Sequence, residues 1–309
     1  MEKSSKIFVA GHKGLVGSAI VRALTKQGYT NLVLRTRAEL DLLDQKAVRD
    51  FFISEKPEFV FLAAAKVGGI MANSTYPADF IYQNLVIETN IIESARESSV
   101  KKLVFLGSSC IYPRLSPQPI KEEYLLTGPL EPTNAAYAMA KISGIVMCQS
   151  YNKQYGTNYI SLMPTNLYGD NDNFDLTSSH VLPAMIRKFH EAKIAGKLEM
   201  QLWGTGVAMR EFLHVDDLAD ASIYLMNTYT GDEHVNVGTG VDVTIKELAE
   251  TVKEIVGYEG AIVWDSTKPD GMPRKLLDMT KLHGLGWHHT IDLKEGIERT
   301  YKWFLENKI

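Results

Sequence analysis

The chain has few cysteines and little excess charge. Its 309 residues include two cysteines, Cys110 and Cys148, too few for a disulfide framework or a cysteine-rich metal site. The 33 basic and 37 acidic residues leave a net charge of −4, so no basic field favours nucleic acid or an anionic membrane. We therefore expect no metal, no nucleic acid and no membrane as partners. Anionic ligands must be bound by local cations and helix N-termini.

Long apolar runs are also missing. The longest, residues 59–65, is short enough for a buried strand, and the first residues lack the pattern of a signal peptide. With 45% hydrophobic and 23% charged residues, the composition is that of an ordinary globular protein. These features predict a cytoplasmic protein with reduced thiols.

Strand-like and helical patterns alternate through the first half of the chain. Short apolar strands are predicted at residues 7–10, 32–34, 59–62, 103–106 and 159–163. Between them, helices are predicted at residues 15–27, 47–54, 78–96 and 137–155. This alternation predicts an α/β fold with a Rossmann-type, doubly wound parallel sheet.

The alternation weakens after Pro164, where residues 165–180 are polar and rich in turn formers. Helical patterns return at residues 180–192, 245–256 and 293–305. We expect a dinucleotide-binding domain of residues 1–164 plus about 211–236. The remainder, about 165–210 and 237–309, is expected to form a smaller C-terminal lobe that binds substrate.

A glycine-rich loop follows the first predicted strand and opens the first helix. It consists of Gly11, His12, Lys13, Gly14, Leu15, Val16 and Gly17. Glycines permit a tight turn, close approach of backbone to a pyrophosphate, and close packing of helix on strand. The spacing is G-x-x-G-x-x-G rather than G-x-G-x-x-G, and the helix N-terminus offers free N–H groups to an anion. The loop predicts a dinucleotide site.

The residues that follow the second predicted strand indicate which dinucleotide the site binds. Arg35 and Arg37 stand where an acidic residue would bind the ribose hydroxyls of NAD. Arginines favour a 2′-phosphate, so NADP(H) is the expected cofactor, with Lys13 adding to the same anion site. The alternative is that both arginines are ordinary solvated surface residues.

Tyr137 and Lys141 lie four residues apart, on one face of a predicted helix. A cation beside a phenol lowers its pKa from about 10 toward neutrality, which lets the tyrosine exchange protons with a carbonyl or alcohol oxygen. Ser108 follows a buried strand and supplies a second donor. Such a pair is frequent by chance on solvated helices. Together with the glycine-rich loop, however, it points to nicotinamide-dependent chemistry at a carbonyl.

Longer segments carry a family resemblance that extends over essentially the whole chain. They are residues 107–113 (GSSCIYP), 163–169 (MPTNLYG), 172–174, 179–181 and 209–217 (MREFLHVDD). With these segments the chain resembles the extended short-chain dehydrogenase/reductase family, and within it the branch that makes GDP-L-fucose. The resemblance implies epimerisation of GDP-4-keto-6-deoxy-D-mannose at C3 and C5, reduction at C4 by NADPH, and a homodimer.

The same resemblance assigns roles to individual residues. Ser108 and Tyr137 would bind the enolate oxygen, with Lys141 assisting Tyr137. Cys110 would remove a proton as thiolate and His180 would return one as an acid; without the resemblance, Cys110 is more typical of a small buried residue. The cofactor-binding set is the glycine-rich loop with Arg37, Asp41, Leu42, Leu106, Gly107, Ser109, Lys141, Pro164, Thr165, Asn166, Leu167 and His180. The substrate-binding set is Lys188, Trp203, Arg210 and Asp270.

At Lys13 and Lys188 the family often has arginine, and lysine supplies charge without bidentate geometry. Two other functions remain open: another nucleotide-sugar epimerase or dehydratase of the same superfamily, and a non-catalytic NADP-binding regulatory protein. Dehydratases place acidic residues where Ser109 and Cys110 stand. The arginines after the second strand count against a 4-epimerase, and the intact catalytic set counts against loss of catalysis.

Overall fold

The computed structural model describes residues 1–268 and 270–307. The strands are β1 (Ile7–Ala10), β2 (Leu32–Val33), β3 (Phe59–Leu62), β4 (Lys102–Leu106), β5 (Tyr159–Pro164), β6 (Asn166–Tyr168), β7 (Glu199–Trp203), β8 (Met209–His214), β9 (Val235–Val237), β10 (Asp242–Thr244), β11 (Ala261–Asp265) and β12 (Arg274–Lys275). The helices are α1 (Leu15–Lys26), α2 (Gln45–Glu55), α3 (Ile70–Thr75), α4 (Pro77–Glu97), α5 (Ala135–Tyr155), α6 (Val181–Ile194), α7 (Val215–Thr228), α8 (Ile245–Val256), α9 (Thr280–Gly284) and α10 (Leu293–Asn307).

A six-stranded parallel sheet forms the centre of the N-terminal half. Its order is β2-β1-β3-β4-β5-β9, and every neighbouring pair is parallel. The predicted doubly wound sheet is thereby confirmed. The chain runs from β1 to β2 on one side and then to β3 on the other, so the strand order reverses between β1 and β3. The loop after β1 therefore lies at the point where such sheets bind ligands.

Burial on both faces explains why these strands were predictable. All four residues of β1 are buried, and β3 is buried apart from its first residue. Continuous apolar runs of this kind are typical of parallel strands covered by helices on both sides. Helices α4 and α5 pack against each other, and α1 packs against α7.

The C-terminal lobe is built around a second, mixed sheet. Strand β8 pairs in parallel with β6 and β12 and antiparallel with β10, while β7 and β11 form a separate parallel pair. A second apolar core lies here, contributed by α6, α8 and α10 among other elements. It includes Tyr168, Phe189, Phe212, Val252 and Ile297.

One predicted boundary differs from the structure. Strand β8 lies in the second sheet, although residues from about 211 were expected in the dinucleotide-binding domain. Strand β9 completes the six-stranded sheet, in agreement with the expected end of that domain at about residue 236. Within the polar, turn-rich residues 165–180, strand β6 forms at Asn166–Tyr168. A short apolar run has the same pattern in either sheet, so only its pairing partners decide where it lies.

None of the described helices is long and apolar enough to cross a membrane.

Gly144 on α5 tests how closely the helix layer packs on the sheet. An added Cβ would lie 2.4 Å from Cζ of the fully buried Phe105 on β4. We expect Gly144→Ala to destabilise the protein by about 1–3 kcal/mol despite the better helix propensity of alanine. Urea unfolding measures this. The control is Gly284→Ala, whose Cβ meets no atom within 4 Å; equal effects of the two substitutions would contradict the packing account.

Candidate active site

The glycine-rich loop turns tightly between β1 and α1. Gly11 has a φ of +83°, and a Cβ at this position would lie 2.8 Å from the backbone of Ala64. A Cβ at Gly17 would lie 2.1 Å from the Gly11 carbonyl oxygen. Gly14 precedes α1, and no side chain caps the helix there. A backbone cradle at a helix N-terminus fits the pyrophosphate of a dinucleotide.

The two arginines after β2 have different surroundings. Arg35 pairs with Glu55 at 2.5 Å and lies 5.7 Å from the ring of Phe51. Arg37 is 75% exposed and lies 3.9 Å from Asp41. The expectation that both arginines serve a 2′-phosphate is therefore corrected for Arg35, whose charge is balanced by a carboxylate at the end of α2. Arg37 is the one open to an anion.

Tyr137 and Lys141 lie one turn apart on α5, as the spacing predicts. The Lys141 Nζ is 3.0 Å from Oε1 of Glu88, with both side chains 2% exposed, and 5.9 Å from the centre of the Tyr137 ring. Burial raises the Tyr137 pKa well above its usual value, and the charges of Cys110 and Glu88 act in the same direction. The expected lowering of this pKa by Lys141 is therefore wrong for this structure. Glu88 balances the lysine charge.

Ser108 connects the tyrosine to the cysteine. Its Oγ donates to Sγ of Cys110 at 3.2 Å and accepts from the Cys110 backbone N–H at 3.3 Å, where a short 3-10 helix begins. A hydrogen bond with the same hydroxyl opposes the rise in the Tyr137 pKa. The hydroxyl, the thiol and the phenol thus lie together beyond the carboxyl end of β4.

The C-terminal lobe contributes His180 and Lys275 to this group of side chains beyond β4. His180 immediately precedes α6; solvent reaches the residue, yet surrounding protein lowers its pKa below the usual 6.5, and the positive charge of Lys275 lowers it further. The Lys275 Nζ also lies 3.9 Å from Sγ of Cys110. Lys275 was missed by sequence reasoning, because no motif marks a lysine 165 residues from the cysteine it approaches.

Residues 164–167 lie where β5 ends and connect the two sheets. The Thr165 backbone N–H donates to the Val237 carbonyl at 3.0 Å. The side chains of Thr165 and Asn166 both donate to the Glu211 carbonyl, at 3.2 and 2.7 Å. Because β1, β4 and β5 are parallel, their carboxyl ends bring the glycine-rich loop, residues 106–110 and residues 164–167 to one edge. The predicted cofactor-binding residues of these segments are thus gathered at the ligand-binding edge.

The four predicted substrate residues lie together in the C-terminal lobe. Trp203 is 60% exposed, with the ammonium groups of Lys188 and Lys268 at 5.9 and 5.5 Å from its ring. Burial lowers the pKa of Arg210, and the charge of Asp270 acts in the opposite direction. Asp270 accepts from the backbone and side chain of Thr205, both at 2.7 Å, so it orders the turn after Trp203. The excess of cations suits the charge of a nucleoside diphosphate. Lys268 lies in this group but was not among the predicted substrate-binding residues.

A family model matches residues 7–238 of the chain, described as the NAD dependent epimerase/dehydratase family. The chain belongs to this family. The chain is 65% identical to the putative GDP-L-fucose synthase 2 of Arabidopsis thaliana, over 100% of this chain and 94% of that protein. It is 59% identical to the GDP-L-fucose synthase of Escherichia coli K12, over 98% of this chain and 97% of that protein.

Solved structures agree with these relatives. A GDP-6-OMe-4-keto-L-xylo-heptose reductase from C. jejuni matches this chain with a TM-score of 0.95 at 45% identity, covering 99% of both chains. A GDP-L-fucose synthetase from Naegleria fowleri bound to NADP matches with a TM-score of 0.92 at 29% identity, covering 100% of this chain and 96% of that one. The family predicted from the motifs is confirmed.

Within residues 1–268 and 270–307, no three His, Cys, Asp or Glu side chains are grouped as a metal site.

The different surroundings of the two arginines give a test of cofactor choice. Arg37→Gln should lower the preference for NADPH over NADH about tenfold, since a hydrogen bond to a charged group contributes about 1.5–3 kcal/mol. Fluorescence titration with each cofactor measures the two dissociation constants. Arg35→Gln is the matched control and should leave the preference unchanged, because Arg35 is paired with Glu55. The reverse pattern would contradict the assignment.

Proposed function

We propose that this protein converts GDP-4-keto-6-deoxy-D-mannose to GDP-L-fucose, by epimerising C3 and C5 and then reducing C4 with NADPH. The observation that carries the proposal is the position of Cys110, which lies beside Ser108 and within 3.9 Å of Lys275. A reductase alone has no use for a thiol and an imidazole beside its serine and tyrosine. The identity to proteins named GDP-L-fucose synthase supports the same reaction.

Epimerisation begins with loss of a proton next to a ketone. Because C3 and C5 both adjoin C4, either proton leaves through an enolate whose negative charge collects on the C4 oxygen. Ser108 Oγ and the Tyr137 hydroxyl donate to that oxygen. The raised pKa of Tyr137 suits this role, because the phenol stays protonated and can act as a donor.

The proton is removed on one face of the sugar and returned on the other. Cys110, as thiolate, takes the proton from carbon, and the nearby Lys275 ammonium stabilises the negative charge on its sulfur. His180 returns a proton to the opposite face. Its lowered pKa makes the protonated imidazole a stronger acid. Solvent reaches both residues, so after each transfer it takes up the proton held by Cys110 and returns one to His180.

Reduction uses the same serine and tyrosine. NADPH, when bound along the glycine-rich loop, supplies hydride to C4. Tyr137 then gives its phenolic proton to the C4 oxygen, and the Lys141 ammonium balances the phenolate that remains. Lys188, Arg210 and Trp203 hold the GDP portion, through two cations and an exposed ring.

The proposal includes a homodimer formed through α4 and α5. Both helices present apolar side chains to solvent, among them Tyr82, Met139, Val146 and Tyr155.

We also propose a cytoplasmic, reducing compartment, because the chemistry needs Cys110 as a free thiol. Recovery of the native protein in a membrane fraction would contradict this compartment.

Sedimentation equilibrium tests the dimer. We expect twice the chain mass of 34.5 kDa for the unaltered protein and a monomer for Val146→Asp, which places a charge on the α5 surface. Ile194→Asp, at an exposed position outside these helices, should remain a dimer. An unaltered protein that sediments as a monomer would refute the interface.

The reaction itself is tested with purified protein. Mixed with GDP-4-keto-6-deoxy-D-mannose, it should consume NADPH in equal amount to the sugar, as followed by NADPH absorbance. GDP-mannose has no ketone at C4 and should cause no consumption. Folded protein that binds NADPH yet leaves the keto sugar unreduced would exclude the proposed function.

The role of the thiol is tested separately from reduction. In D₂O with NADP⁺, the protein should exchange deuterium into the sugar, and Cys110→Ser should slow this exchange at least about 100-fold, the lower range for a catalytic proton transfer. NADPH binding should be unchanged. Cys148→Ser is the control, since Cys148 is fully buried and burial raises its pKa to about 12. Equal exchange by both variants would assign Cys110 a packing role only.

A further inference from the structure

The strongest unexplained contact near the site is the ion pair of Lys141 with Glu88. It joins α5 to α4 at 3.0 Å, with both side chains 2% exposed. Among the described residues, no hydrogen-bond donor besides the lysine ammonium reaches the Glu88 carboxylate. Burial raises the Glu88 pKa, and the nearby Lys141 charge is what opposes this rise.

We propose that Glu88 is a positioning residue for the reduction: its carboxylate holds the Lys141 ammonium beside Tyr137 and balances its charge while the phenol is protonated. The inference rests on the proposed function, because it gives Glu88 an effect through Lys141 and Tyr137.

The surroundings of Lys141 explain why such an anchor is needed. Its Nζ lies 4.8 Å from the centre of the Phe105 ring and 5.9 Å from that of Tyr137, on the inner side of α5. A lysine in such apolar surroundings tends to turn toward water unless a carboxylate holds it. Glu88 supplies that carboxylate and fixes the ammonium on the face of α5 that carries Tyr137.

Glu88 also acts on Tyr137 through its charge. The carboxylate opposes ionisation of the phenol, so it raises the phenol pKa, in addition to the larger effects of burial and of the Cys110 charge, while the hydrogen bond with Ser108 lowers it. Removing this charge without changing shape makes the phenol more acidic. Since the reduction needs a protonated phenol, activity would then be lost at a lower pH than in the unaltered protein.

A purely structural role predicts something different. Helices α4 and α5 are also joined by Phe80 and Tyr137, whose rings meet edge to face at 6.3 Å. If Glu88 served only to join the helices, its substitution would lower the melting temperature and leave the pH dependence unchanged.

The experiment compares Glu88→Gln, Glu88→Asp and Ser94→Ala in the full-length protein. For Glu88→Gln we expect single-turnover reduction slowed about tenfold, KM for the sugar within about twofold, and the high-pH loss of activity shifted down by about half a pH unit or more. Glu88→Asp keeps the charge and should retain the original pH dependence with an intermediate rate. Ser94, also buried on α4, is the control and should change neither property.

A second readout needs no sugar. Because Lys141 is proposed to hold the bound nicotinamide nucleotide, Glu88→Gln should weaken NADPH binding about threefold or more in a fluorescence titration. If the unaltered protein fails to reduce the sugar, the proposed function fails, while this titration still tests Glu88. The inference would be overturned if Glu88→Gln left the NADPH affinity unaltered. It would also be overturned if this substitution lowered only the melting temperature.

Discussion

The proposed active site depends on the positive charge of Lys141, whose side chain is almost fully buried. Burying an ion costs several kcal/mol, and removing one member of a buried pair typically destabilises a protein by about 3–5 kcal/mol. Lys141 is tolerated because Glu88 approaches from the neighbouring helix. The pairing requires α4 and α5 to cross at a fixed register above β4. The same register places Tyr137 next to Ser108, so the position of the proposed catalytic phenol is linked to the balance of a buried charge.

The two lobes contribute different chemistry to this position. The six-stranded sheet supplies the cofactor cradle after β1, the thiol and hydroxyl after β4, and the phenol on α5. The C-terminal lobe supplies His180 before α6 and Lys275 on β12, together with the cations around Trp203. A serine and a tyrosine beside a nicotinamide are sufficient for reduction. The inversion of two carbons needs proton donors and acceptors on both faces of the sugar, and the second lobe brings the histidine and lysine to the cysteine.

The sequence was most informative where the physical cause is local. Strands β1 and β3 were predicted to the residue because burial on both faces leaves a continuous apolar run bounded by polar residues. The glycine-rich loop was recognised because its turn and close contacts exclude side chains. The spacing of Tyr137 and Lys141 follows from the helical repeat. Family resemblance added the candidates Cys110 and His180, whose residue types alone would have favoured packing and surface roles.

What could not be predicted depends on contacts between distant segments. Glu55 forms an ion pair with Arg35, so Arg35 is not open to an anion. Lys275, on a two-residue strand, lies near the Cys110 thiol. The direction of the Tyr137 pKa shift depends on burial and on Glu88, neither of which the four-residue spacing reveals. Strand β8 lies in the second sheet, contrary to expectation, because pairing partners leave no local pattern in the sequence.

In the proposed reaction, one site inverts C3 and C5 and reduces C4 of the same sugar. The most direct measurement is NMR of the product formed from GDP-4-keto-6-deoxy-D-mannose and NADPH in D₂O. The account predicts GDP-L-fucose with deuterium at C3 and C5 and protium at C4. A sugar reduced at C4 that keeps its original protium and configuration at C3 and C5 would contradict it.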